Sequence, residues 1–240
     1  MTLPDPPPDW GIDEISKFID LARNNAYATY ANLKLEYHRL TVIDEGFRKI
    51  IDNLYNTREW FASFFLIRAH SAFVAASQLS ISTQVPESYT LLRSCLENAL
   101  YGFYLSRNPA SRATWLRRHD DESSKKKVRS EFQIRHLLHE LGKEDATIGH
   151  AVEKLYERTI DYGAHPNESA LLQTLMMEIT DDHIDISLNY LMEDSPALRL
   201  SLRTVAQVGV CALEIFNLVF KERYDLLGLT ETLTLLKKDL

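Results

Sequence analysis

WFASFFLIRAHSAFVAASQLSIS, Trp60–Ser82, is apolar nearly all the way round a helix, because Phe61, Phe64, Phe65, Leu66, Ile67, Ala72, Phe73, Val74 and Leu79 leave no continuous polar face. A helix with that pattern belongs at the centre of a bundle. Asn56-Thr-Arg-Glu59 immediately before it has the form of a capping box.

Working outward, the prolines say the rest of the chain is helical as well. Four of the eight lie in the first eight residues, a stiff extended leader over residues 1–9. The others, Pro86, Pro109, Pro166 and Pro196, each open a segment of helical periodicity and interrupt none. Proline is tolerated at the first helical position because that N–H has no partner there anyway. The segments expected as helix run from Asp9 or Gly11 to about Arg39, Thr41 to Tyr55, Trp60 to Ser82, Pro86 to Ser106, and Pro109 to near His119. Further along come Ser123 to Leu141, closed by Gly142, then Glu144 to Tyr162, Asn167 to about Met177, and Ser195-Pro196 to Lys221, with a short amphipathic tail to Leu240. One stretch dissents: Met177–Thr180 and Ile184–Leu188 alternate apolar and polar residues around Asp181-Asp182-His183, the pattern of a small β-hairpin near 177–188, with a frayed helix as the alternative. The fold class is all-α, a multi-helix bundle with a long buried central helix and a single domain over 10–240.

Composition limits the function. With 45% hydrophobic and 25% charged residues in 240, the chain is globular, neither disordered nor a disulfide scaffold. Cys95 and Cys211 both sit in apolar helical patterns without C-x-x-C, which suits buried free thiols in a reducing cytoplasm. There is no basic-then-apolar leader, and Val205–Phe220, the most hydrophobic run, is interrupted by Gln207, Glu214 and Asn217. A cytoplasmic protein without a membrane span is the expectation. A net charge of −7 gives no general attraction for nucleic acid. Yet Arg107–Arg135 holds nine Lys/Arg and four Asp/Glu, a local +5.

Three constellations could carry chemistry. On the Pro86–Ser106 helix, Arg93, Glu97, Tyr101 and Tyr104 fall within one arc opposite Leu92, Leu96, Leu100 and Phe103. Arg93 and Glu97 are one turn apart, and the seam reads either as a register-fixing network or as the wall of a ligand pocket. In the basic strip, Arg117, Arg118, Lys125, Lys126, Lys127 and Arg129 accompany Trp115 and Phe132. Cations with aromatics suit RNA, while Asp120, Asp121 and Glu122 in their midst suit a solvated face. In the third, Gly163 and Pro166 end a helix between Arg158 and His165, bringing His165 to the start of the next helix, where unpaired amides attract anions.

Arg158, six residues and His165 on a helical scaffold resemble the R-x(4–6)-H motif of the HEPN superfamily, many of whose members are metal-independent ribonucleases. The resemblance implies proton transfer at a ribose 2′-hydroxyl by His165 and charge stabilisation by Arg158. Arg112/His119 and Arg129/His136 share the spacing without the helix break. Thr159 and Asn167 depart from the polar and aromatic residues usual beside the motif. Arg93-x-x-x-Glu97 with Tyr156-x-x-Thr159-x-x-Tyr162-x-x-His165-Pro166 is also similar to bacterial helical proteins whose function is not known.

No Glu-x-x-His, H-E-x-x-H, Walker A, G-x-S-x-G or G-x-G-x-x-G occurs, so neither a metal nor a cofactor is expected. The function expected is a non-catalytic binding or interaction module for a protein or small molecule, and a homodimer through apolar helix faces. A HEPN-like ribonuclease or RNA/nucleotide-phosphate binder is the alternative.

Overall fold

The computed structural model describes residues 5–164, 175–179, 183–188, 191, 195–238 and 240. Helices dominate: α1 (Glu14–Asn32), α2 (Lys34–Ile51), α3 (Trp60–Ile81), α4 (Val85–Arg107), α5 (Pro109–Leu116), α6 (Glu122–Glu131), α7 (Ile134–Glu144) and α8 (Ala146–Thr159). A π-turn at Ile160–Ala164 follows, then strands β1 (Leu175–Ile179) and β2 (Ile184–Leu188), and α9 (Pro196–Val219), α10 (Lys221–Leu226) and α11 (Leu229–Lys238). The chain is an all-α bundle with one small antiparallel hairpin, in which Leu175 pairs with Leu188 and Ile179 with Ile184.

Among the described residues, side-chain oxygens start four of the helices. Asp13, Asp121, Asp145 and Ser195 accept from the amides of Ser16, Ser124, Thr147/Ile148 and Leu198 respectively. Each supplies a partner to a first-turn N–H that the helix cannot satisfy itself.

α3 and α4 lie along one another at the centre, and α9 crosses against α2, α3, α4 and α8. Close approach is made possible by small residues. A Cβ on Gly102 would lie 2.8 Å from the ring of Phe216, and one on Gly209 would lie 2.6 Å from Phe73 and 2.7 Å from Ile43. Three buried serines bond where the helices meet: Ser201 Oγ is 2.9 Å from Ser80 Oγ and 3.2 Å from Ser88 Oγ. By length and composition α3 and α9 could each cross a membrane, but α9, at 72% buried, is a core helix. α3 is 44% buried, and one line of it faces outward.

Several boundaries differ from those expected. The first break falls at Leu33 and not near Arg39, because the Leu33 side chain turns into the core at 3% exposure. Asn56–Glu59 forms no capping box: Asn56 takes a positive φ of 51°, and the Thr57 hydroxyl accepts from Glu59 N. Ser123–Leu141 is two helices, since the chain bends at Phe132 to place its ring against Tyr101 and Tyr104. Gly142 does not terminate a helix. It lies within α7, and a Cβ on Gly149 of α8 would come within 2.7 Å of its Cα. Leu175–Met177 is strand and not the end of a helix from Asn167, whose earlier part lies outside the described residues, as do residues 1–4 of the leader.

The Tyr224 hydroxyl is fully buried and, among the described residues, has no hydrogen-bond partner. A buried unpaired hydroxyl costs about 1–3 kcal/mol. Tyr224→Phe is therefore expected to leave stability unchanged or raise it by about 1 kcal/mol in urea denaturation, the reverse of most core substitutions.

Candidate ligand-binding cleft

α8 carries Arg158 in its last turn, on the side facing α9. On α9, Thr204, Gln207, Cys211 and Glu214 recur at intervals of three and four, so they share one face. Arg158 Nη1 donates to Gln207 Oε1 at 2.8 Å and to Thr204 Oγ1 at 3.3 Å, while the Thr204 hydroxyl donates to Leu200 O. Both bonds fall on one nitrogen, and among the described residues the other guanidinium N–H donors stay uncommitted.

This arrangement forms one wall of an open cleft of about 590 Å³ between α8, α9 and α11. Ile148, Ala151, Leu155 and Val210 make it apolar, and Lys154, Arg158, Glu214 and Lys237 ring it with charge. Lys237 pairs with Glu214, whose side chain is only 11% exposed. The Asp145 carboxylate is engaged by the α8 amides. Lys154 is exposed, so the surplus at the rim is cationic. The Leu240 carbonyl accepts from Arg203 and Gln207 at one end of the cleft. Cys211 also lines it, but burial and then the Glu214 charge push its thiol up to about 12, which keeps it protonated at neutral pH.

Behind Arg158, Tyr89 stacks on Tyr162 at 5.5 Å. Burial raises the Tyr89 phenol above its ordinary pKa, opposed by the Thr204 hydroxyl and the Arg158 charge.

Arg93 and Glu97 meet as their spacing requires, but on a different side of α8. Arg93 Nε donates to Glu97 Oε1 at 2.8 Å, and Tyr156 Oη donates to the same oxygen at 2.9 Å. The guanidinium lies 5.2 Å from the Tyr156 ring centre. Tyr156 and Arg158 are two residues apart, about 200° round the helix, so this cluster faces α4 while Arg158 faces α9. Burial lowers the Arg93 pKa, and Glu97 and Tyr156 outweigh it, for a net rise.

The Tyr156 phenol is pushed up to about 12, by burial first and then by the Glu97 carboxylate, with Arg93 opposing. A phenol held above its unfolded value of about 10 favours the fold below that pH, and the contribution disappears between about pH 10 and 12. Between about pH 8 and about pH 11, the wild-type chain is thus expected to lose more stability in urea titrations than Tyr156→Phe does.

Tyr101 and Tyr104 serve the packing of neighbouring helices. Tyr101 lies between Phe65 and Phe132 and donates to Phe132 O, and the buried Tyr104 hydroxyl meets His136 Nε2 at 3.3 Å and Ser111 Oγ at 3.4 Å. In the basic strip, Arg117, Arg118, Lys126, Lys127 and Arg129 are exposed, and Lys125 is half-buried and pairs with Glu122. Neither accompanying aromatic is fully exposed. Phe132 is buried, and Trp115 packs edge-on against Phe61 and Phe65. His165 lies outside the described residues.

Gln207, Glu214, Lys154 and Lys237 were not singled out by the sequence as binding residues. Gln207 and Glu214 stand out only as interruptions of an apolar run. Their spacing of seven, on the face shared with Thr204 and Cys211, is the signal that marks them. Among the described residues no three His, Cys, Asp or Glu side chains gather as a metal ion requires.

No family model matches the chain, and neither a curated protein nor a solved structure matches it.

Proposed function

We propose that this chain is a cytoplasmic, non-catalytic binding module whose α8–α9 cleft takes a small anionic ligand with an apolar body. The carrying observation is Arg158, held by Gln207 and Thr204 at the edge of an apolar cleft with guanidinium donors to spare. A guanidinium fixed in this way has little rotamer freedom left to lose on meeting a carboxylate or phosphate. Binding rather than catalysis is supported by the direction of the pKa shifts. At the cleft, burial pushes the Cys211 thiol up to about 12 and raises the Tyr89 phenol behind Arg158, so both groups move away from neutrality. A working general acid or base is tuned toward neutrality instead. The two buried free thiols support a reducing compartment.

The test is thermal unfolding with octanoate, adenosine monophosphate and inorganic phosphate as probes. A ligand at about a hundred times its Kd adds about 2.7 kcal/mol, a Tm rise of roughly 5–10 °C for a chain of this size. At least one organic probe is expected to stabilise the wild type by this order, and Arg158→Met to remove most of the effect. Equal stabilisation of both proteins, or none by any probe, overturns the reading.

A second reading is favoured by one feature. The α-helical run ends at Thr159 and passes into a π-turn before residue 165, so the chain bends between Arg158 and His165, as a HEPN-like ribonuclease or RNA/nucleotide-phosphate binder would need. Cleavage of single-stranded RNA by the wild type, lost in a folded His165→Ala variant, would establish it over the first.

A further inference from the structure

The outward line of α3 is Trp60, Phe64, Ile67, Ser71, Val74 and Gln78, all exposed, with the exposed Arg68 on its flank. The intervals are four, three, four, three, four, the 3.5-residue repeat of a coiled-coil seam and not the broader stripe of a helix buried in its own domain. The spacing is also palindromic. Laid antiparallel on a second α3, it opposes Trp60 to Gln78, Phe64 to Val74 and Ile67 to Ser71, a bulky side chain facing a smaller one each time.

A second unpartnered element stands near the other end of α3. Of the nineteen residues of α1 only Ser16, Ala22 and Thr29 are buried, and the helix is tied to the bundle where Asn25 Nδ2 donates to Thr83 Oγ1, just past the end of α3. Its first turns leave Ile15 and Ile19 at 74% and 44% exposure, and Ile12, just before the helix, stands at 70%. Between Asp5 and Ala22 there are five carboxylates and one lysine, a net −4. At the Trp60 end of α3 the charge is opposite. Trp115 packs on Phe61 and Phe65, and Arg117 and Arg118 of the basic strip follow directly.

We propose that α3 is the seam of a two-fold homodimer, paired antiparallel with the α3 of a second copy, and that the acidic α1 arm of each chain lies against the basic strip of the other. The antiparallel sense follows from charge. A parallel pair would set two +5 strips side by side, whereas the antiparallel pair separates them and brings each to the end of α3 from which the partner's arm leaves. The area fits too. The four apolar seam residues and three arm isoleucines expose on the order of 700 Å² per chain, taking about 150–250 Å² for a large apolar side chain. Stable interfaces bury about 800 Å² per partner, and a monomer seldom exposes so much. This interface does not depend on the α8–α9 cleft.

Light scattering on the full chain at micromolar concentration is expected to give twice 27.7 kDa. Phe64→Asp is expected to give the single mass with an unchanged far-ultraviolet spectrum. Arg117→Glu combined with Arg118→Glu, on exposed positions that no core contact uses, should weaken association at least tenfold. Under mild oxidation, a mixture of Ile67→Cys and Ser71→Cys chains should cross-link faster than either alone, the native Cys95 and Cys211 being buried. A monomeric wild type overturns the proposal. So does a dimer that persists in both the Phe64→Asp and the arginine-reversal variants, a mixture that cross-links no faster than its components, or a monomer that floats with phosphatidylcholine vesicles through this same stripe.

Discussion

Phe216→Ala is expected to lower the folding free energy by about 3–5 kcal/mol, a large share of what a chain of this size has. Phe216 is fully buried on α9, and its ring edge occupies the space that a methyl group on Gly102 of α4 would fill, 2.8 Å from the nearest ring atom. The cavity left by truncation cannot collapse easily, because Gly102 offers no side chain to move into it. The converse substitution tests the same contact from the other side. Gly102→Ala in the wild type should cost about 1–3 kcal/mol by overpacking against Phe216 and Phe65, and clearly less in a Phe216→Leu background. A double-mutant cycle read by urea denaturation checks both. Additive values would mean that α4 and α9 do not meet through this pair.

The second large effect is expected at Gly163. Its φ of 168° is open to any residue, so the requirement is space and not backbone conformation. A Cβ there would sit 2.1 Å from the Pro86 carbonyl oxygen, 2.9 Å from its carbon and 3.1 Å from Pro86 Cα. Backbone meets backbone, so no rotamer change relieves the clash. The π-turn must lift off the start of α4. Gly163→Ala should therefore cost about 3 kcal/mol or more, the upper end for overpacking. It should also separate Tyr162 from Tyr89 and alter the near-ultraviolet spectrum of the tyrosines, with consequences for Arg158 just across Thr204. Full stability in Gly163→Ala would contradict the close contact between the turn and α4.

These two glycines show where sequence reading stops. Gly163 reads as a helix-ending residue, and α8 does end before it. Nothing in the sequence names Pro86 as the atom group it touches, 77 positions away. Gly142 reads as a terminator for the same local reason, yet α7 continues through it to Glu144, at the place where Gly149 lets α8 pass close by. The break inside 123–141 is likewise set by distant partners, since Phe132 leaves the helix to reach Tyr101 and Tyr104.

The candidate cleft shows the same division. The Arg93–Glu97 pair is one helical turn apart and could be read directly. That Tyr156 joins the first pair while Arg158 turns to Gln207 depends on which helices flank α8, information that spacing within one segment cannot hold. Tyr101 and Tyr104, grouped with Arg93 and Glu97 by helical angle alone, face α5–α7.

By itself the sequence determined the secondary structure class, the prolines that open α4, α5 and α9, the Ser195 cap and the apolar character of α3, because each follows from a pattern over a few residues. Only the tertiary structure decided which apolar faces the chain itself covers, leaving the α3 stripe and Ile12, Ile15 and Ile19 outside its core, and which polar side chains converge beside Arg158. Burial and convergence are properties of pairs of segments brought together by the whole core, and a local pattern fixes only what each segment has to offer.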